Sequence, residues 1–136
     1  MKLRLNRTAW NLLRRLGVQG LSIIEFDDTV GPIPKFVYSR NSRLIRRILR
    51  DRIFSSKVSI LAKYACEARL ADDSRIIIET FESIGNRVKT NYIVAQISEN
   101  AKYTKVRNIL KTLKRKLEGC KEIRKDIVED CLISIA

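Results

Sequence analysis

The sequence predicts an α+β fold: a mainly antiparallel sheet with helices packed on it, in a single domain spanning residues 1–136. Three observations carry this. Apolar runs at Leu21–Phe26, Ile76–Ile78 and Ile93–Ile97 are β-rich and bounded by Asp, Gly and Asn turn residues. Val106, Ile109, Leu110, Leu113 and Leu117 recur at helical spacing between two polar stretches. At 136 residues, 45% hydrophobic and 32% charged, the chain is long and apolar enough for one buried core.

The elements follow in order. Residues 3–16 read as an amphipathic helix with Leu5, Trp10, Leu12, Leu13 and Leu16 on a broad face, and Gly17 suits its C-terminal stop. Gly17–Gly20 reads as a short linker into a first strand at Leu21–Phe26, where alternation is nearly absent and both faces are expected to be buried. Asp27 and Asp28 open a long connection that Gly31, Pro32 and Pro34 stiffen, and Phe36–Tyr38 resume the extended run.

From Ser42 to about Arg69 the spacing is helical, with a break near Phe54–Ser56. Residues 75–83 and 88–98 form the strongest strand pair, around a turn at Ile84–Arg87. Ser98, Glu99 and Asn100 are N-cap candidates for a helix over 101–117, which Gly119 ends; residues 121–134 repeat the helical spacing in a C-terminal helical segment, 118–136. Phe26, Ile76, Ile78, Ile93, Leu110 and Leu113 are expected to share one core.

Residues 21–39 carry a resemblance. Phe26, Asp27, Asp28, Gly31, Pro32 and Tyr38, in the arrangement F-D-D-x-x-G-P-x-P-x-x-x-Y-S, resemble the first hairpin of longin-type domains and their roadblock relatives, archaeal longin-like proteins most closely. The resemblance implies a helix-first, five-stranded sandwich that is not an enzyme. It implies an adaptor or regulator whose partner is a small GTPase or another longin/roadblock subunit, with homodimers formed through a sheet edge or a helix. Four strands are placed by the reading above; Lys57–Ala62, taken as extended, would supply the fifth.

Charge is the strongest functional signal. The net charge is +13, and it is concentrated. Residues 1–20 hold five cations and no acid. Residues 35–52 hold seven cations, Arg43, Arg46, Arg47 and Arg50 among them, against Asp51 alone. Residues 102–117 hold seven more with no acid, including Lys105, Arg107, Lys111, Lys114 and Arg115. Arg43, Arg47 and Arg50 share one helical face, as do Arg107, Lys111, Lys114 and Arg115. With both helices on one side of the sheet these stripes merge into a surface for an acidic protein, nucleic acid or anionic lipid.

The chemistry open to the chain is narrow. There is no histidine to act as a base near neutral pH, and no phosphate-cradling or nucleophile-elbow motif. Asp27–Asp28 and Asp72–Asp73 are turn formers rather than metal ligands. Cys66, Cys120 and Cys131 lack metal-ligand spacing, and Cys66 and Cys131, among apolar neighbours, read as core residues. No catalytic residue, metal or cofactor is expected. The leading expectation is a protein-interaction module; the alternative is a basic protein gripping the phosphate backbone of nucleic acid. A third reading is peripheral membrane contact through residues 1–16, whose basic residues and apolar face suit an anionic surface. Arg14 and Arg15 interrupt any signal-peptide core, so a cytoplasmic location is expected. Abundant Ile, Arg, Lys and Glu beside only two glutamines resemble a hyperthermophile's composition.

Overall fold

A computed structural model describes residues 7–27, 29, 31–39, 67–69 and 75–135. Three helices and five strands follow in the order α1 (Arg7–Arg15), β1 (Val18–Asp27), β2 (Gly31–Ser39), β3 (Glu67–Arg69), β4 (Arg75–Ile84), β5 (Val88–Ile97), α2 (Tyr103–Leu117) and α3 (Lys125–Ile135). The strands form one sheet in the order β2-β1-β5-β4-β3, and every neighbouring pair is antiparallel. The fold is α+β, as the sequence predicts.

One face of the sheet carries the helical layer. Leu21, Ile23, Ile77, Phe81, Ile93, Ala95 and Ile97 pack there with Ala9 and Leu13 of α1, the α2 stripe Val106, Ile109, Leu110, Leu113 and Leu117, and Val128, Cys131 and Leu132 of α3. Each buried large apolar side chain contributes about 1.5–3 kcal/mol relative to exposure. α3 contacts both α1 and α2, so it joins them in the layer.

The expected single core is thereby corrected. Ile76 and Ile78 alternate with Ile77 and lie on the opposite face with Ile24, Tyr92 and Val94. All five are buried, yet outside the cluster the three helices build. Phe26, on that same face, is half-buried. Both faces of the central strands are apolar, which is why their sequences show runs instead of alternation.

Four local expectations also change. Residues 18–20 are not a linker but the start of β1, because they pair with Ile97 and Gln96 of β5. The connection after β1 is short, since β2 begins at Gly31. Pro32 and Pro34 lie inside it, opposite Phe26 and Ile24, and a slipped residue follows between the pairs of Ile23 and Ile24. Proline is tolerated because β2 is an edge strand. Glu67–Arg69 is a strand, not the end of a helix, and it supplies the fifth strand. Finally, α2 starts at Tyr103, with Lys102 at its N-cap and no capping side chain. The remaining helical reading over 42–66, Lys57–Ala62 and Cys66, and residues 3–6 of the N-terminal helix, lie outside the described residues.

Gly17 fixes how the helical layer meets the sheet. Its φ of +91° suits only glycine well, and an added Cβ would lie 2.7 Å from Ala101 Cα. The close approach lets the Ser98 N–H donate to Gly17 O (2.9 Å) and the Lys102 N–H donate to Leu16 O (3.0 Å), tying the start of β1 to the start of α2.

Candidate interaction surface

α2 presents a sharp division. Its five apolar residues are buried, while Lys105, Lys111, Arg115 and Lys116 are exposed and Lys114 is half-buried. The helix carries six cations and no acid. None of these five lysine and arginine side chains forms an ion pair with another described residue. Like charges three and four apart on one helix repel each other, so this face is uncompensated from within. Thr104, Asn108, Lys111 and Arg115 form its outermost ridge at i, i+4, i+7 and i+11.

Arg107 behaves differently from the rest of the predicted stripe. It is half-buried and donates from Nη1 to Tyr103 Oη (3.2 Å). Tyr103 in turn donates to Glu67 Oε2 (2.7 Å), and Arg75 both pairs with Glu67 and stands 5.3 Å from the Tyr103 ring centre. The Arg75 guanidinium, then the Tyr103 hydroxyl, hold the Glu67 carboxyl below its ordinary range; its hydrogen bond to Glu67 pushes the Tyr103 phenol up. This cluster clamps the three-residue β3 to β4 and α2. Arg107 therefore has a structural task that its place in the charge run does not reveal.

The other basic run, with Arg43, Arg46, Arg47 and Arg50, lies outside the described residues. So does Asp28. The remaining hairpin-motif residues have local roles. Asp27 is half-buried and its Oδ1 accepts from the Thr29 N–H (2.8 Å), forming a side-chain turn; Gly31 opens β2 at φ +90°; Pro32 is buried; Tyr38 pairs with Leu21.

A polar cleft of about 460 Å³ lies at the hairpin-tip end of the sheet, lined by Glu25, Asp27, Thr29, Ser83, Arg87, Lys89 and Lys121 among others. Lys89 donates to Glu25 (2.9 Å), and that bond raises the Lys89 pKa. Beneath them Asn91 is fully buried, donating to Ser83 Oγ (2.9 Å) and Lys89 O (3.2 Å), while its Oδ1 has no hydrogen-bond partner among the described residues. Three separate chain segments build this cleft, so no short motif announces it.

α3 adds a surface of opposite sign. Asp126, Asp130 and Ile133 are exposed at i, i+4 and i+7, with half-buried Glu129 beside them and Lys125 as the only cation of the helix. That ridge is legible in the spacing, but its position beside α2 is not.

α1 faces its own domain: Ala9 and Leu13 are buried and Trp10 packs against the core, leaving Arg7, Arg14 and Arg15 exposed. Among the described residues no helix is long and apolar enough to cross a membrane, and no group of three or more metal-ligating side chains assembles. Comparison of the chain with protein-family models, curated proteins and solved structures finds no match.

Proposed function

We propose that this domain is a non-enzymatic interaction module of the longin/roadblock kind, an adaptor or regulator whose partner is a protein such as a small GTPase. The observation that carries the reading is the outer face of α2, where cations stand exposed without acidic neighbours on the same helix. A five-stranded antiparallel sheet under a helical layer agrees with the hairpin resemblance. Such a scaffold holds the basic ridge rigidly, because the opposite side of the same helix is anchored in the core. Rigid presentation lowers the ordering cost of docking, and the cations speed encounter with an acidic surface.

The test is capture from extract of the native organism with and without nuclease, using the wild-type chain and the Lys111→Glu/Arg115→Glu variant. A GTPase or longin/roadblock-type subunit retained after nuclease, and lost with the variant, supports the reading. Retention of nucleic acid alone, with affinity falling steeply as salt rises, would replace it with the phosphate-backbone alternative.

A further inference from the structure

We propose that the polar cleft at the hairpin-tip end of the sheet binds a small zwitterion of the α-amino-acid kind, its carboxylate held by Arg87 and Lys121 and its ammonium by Glu25 and Asn91 Oδ1. The inference goes beyond the docking role of α2 and uses no residue of that helix.

The argument begins on the floor of the cleft. Glu25 and Asn91 pair across β1 and β5, so their side chains stand next to each other on the sheet face that carries the helices. Asn91 is wholly buried. Its Nδ2 is matched twice, to Ser83 Oγ and Lys89 O, whereas Oδ1 has no hydrogen-bond partner among the described residues. An unmatched buried acceptor destabilises a folded chain, and a donor brought from outside removes that cost. Three walls rise above this floor: the end of β1 with Asp27, the β4–β5 hairpin with Ser83 and Arg87, and the α2–α3 connection with Lys121. The Ile84 N–H donates to Cys120 O (3.1 Å) and ties the last two together. At about 460 Å³ the space falls within the range of about 300–1,000 Å³ that small-molecule sites occupy.

Charge then selects the ligand. Glu25 and Asp27 make a negative pole on β1. Arg87 and Lys121 make a positive pole on the other two walls, and neither forms an ion pair with a described residue. Lys89 stands between the poles: it donates to Glu25, while Asp27 favours its charged form and Arg87 opposes it. A plain anion would answer the cations and leave Asn91 Oδ1 unmatched. A plain cation would answer the acceptors and leave Arg87 and Lys121. A zwitterion answers both, with a carboxylate that suits the planar fork of Arg87. Lys89 already shows what the negative pole accepts, since its own ammonium lies on Glu25. Its side chain is 37% exposed, so it can swing aside and yield Glu25 to a ligand ammonium. That ammonium has three N–H donors, enough for Glu25 and the neighbouring Asn91 Oδ1 together.

The test uses the full chain and the standard α-amino acids, each added singly in a thermal-shift screen and followed by calorimetric titration. At least one is expected to raise the melting temperature by about 3 °C when present at about ten times its dissociation constant. For that amino acid, the N-acetylated form and the decarboxylated amine should each bind at least about tenfold more weakly, because each leaves one pole unanswered. Equal binding by either analogue, or by inorganic phosphate, overturns the zwitterion. Arg87→Gln/Lys121→Gln should weaken binding at least about tenfold with the free protein's melting temperature unchanged, since both side chains are exposed. Unchanged affinity in that variant overturns the proposal. Nitrogen-15 spectra of the wild type locate the site without any substitution: the Asn91 side-chain amide and the Arg87 backbone amide should shift as ligand is added. Shifts confined to other residues, or no member of the panel binding at about 10 mM, also overturn it.

Discussion

At the end of the sheet where α1 runs into β1, Gly17 touches Ala101, two backbone hydrogen bonds lace Leu16 and Gly17 to Ser98 and Lys102, and four side chains from β3, β4 and α2 interlock around Glu67. At the opposite end the β4–β5 hairpin projects with Ile84 and Val88 more than half exposed, beside a cleft of paired charges. The first end is held by backbone at van der Waals limits and by side chains with fixed partners. The second is held chiefly by the strand ladder, with the α2–α3 connection bonded to the rim of β4 through Gly119 N–H to Glu82 O (2.9 Å) and Ile84 N–H to Cys120 O (3.1 Å). Both ends are glycine-bearing and polar in sequence. The difference shows that tolerance follows what each atom approaches, not how polar or turn-like the segment reads.

Core truncation sets the scale: Leu110→Ala, at a fully buried site, is expected to cost about 2–5 kcal/mol. Gly17→Ala should approach it, at about 3 kcal/mol, since left-handed strain adds to a clash with Ala101 Cα that no rotamer change relieves. Denaturant unfolding measures both. A Gly17→Ala loss under about 0.5 kcal/mol would erase the contrast between the ends.

Tyr103→Phe keeps the ring under Arg75 and removes the hydrogen bond to Glu67, so a loss of about 1 kcal/mol is expected. Its pH dependence sharpens the point. Glu67 has a lowered pKa, so its contribution is present above the ordinary 4.5 and fades as pH falls through the folded value. Tyr103 has a raised pKa, so its contribution is present below the ordinary 10.0 and is lost as pH climbs through the folded value. Melting curves of Glu67→Gln should therefore fall less steeply than wild type below pH 4.5. Equal slopes would mean that the clamp carries no stability.

The smallest effect belongs to the hairpin tip. Gly85→Ala needs no positive φ and brings a Cβ only to 3.3 Å from Lys121 O, so a change within about 0.5 kcal/mol is expected. A loss matching Gly17→Ala would break the comparison from the other side.

Much of the fold was legible because its elements obey a single period. The α2 stripe and the β4–β5 hairpin each satisfy one face or one turn, and the structure returns them within a residue or two. The division of Ile76, Ile77 and Ile78 between two faces was not legible, because a run that is apolar everywhere gives no clue to which side each residue takes. β3 escaped for a different reason: three residues are too few to show alternation, and their pairing with Arg75–Ile77 is a tertiary fact. The basic ridge of α2 was visible from composition. Arg107's withdrawal into the Glu67 cluster, and the acidic ridge beside α2, required the helices to be placed.

The order of the strands bears on how the chain is made. β1 sits between β2 and β5, and Ile23 pairs with Ile93, some 70 residues later. During synthesis from the N-terminus, the β1–β2 hairpin is complete long before β5 leaves the ribosome, with one ladder edge of β1 unmatched. Non-local closure of this kind slows folding and lengthens the time an apolar strand stays available to other chains. Pulse-labelling of nascent chains should find the β1 amides that face β5 protected only once residues beyond Ile97 have been added, and those that face β2 protected earlier.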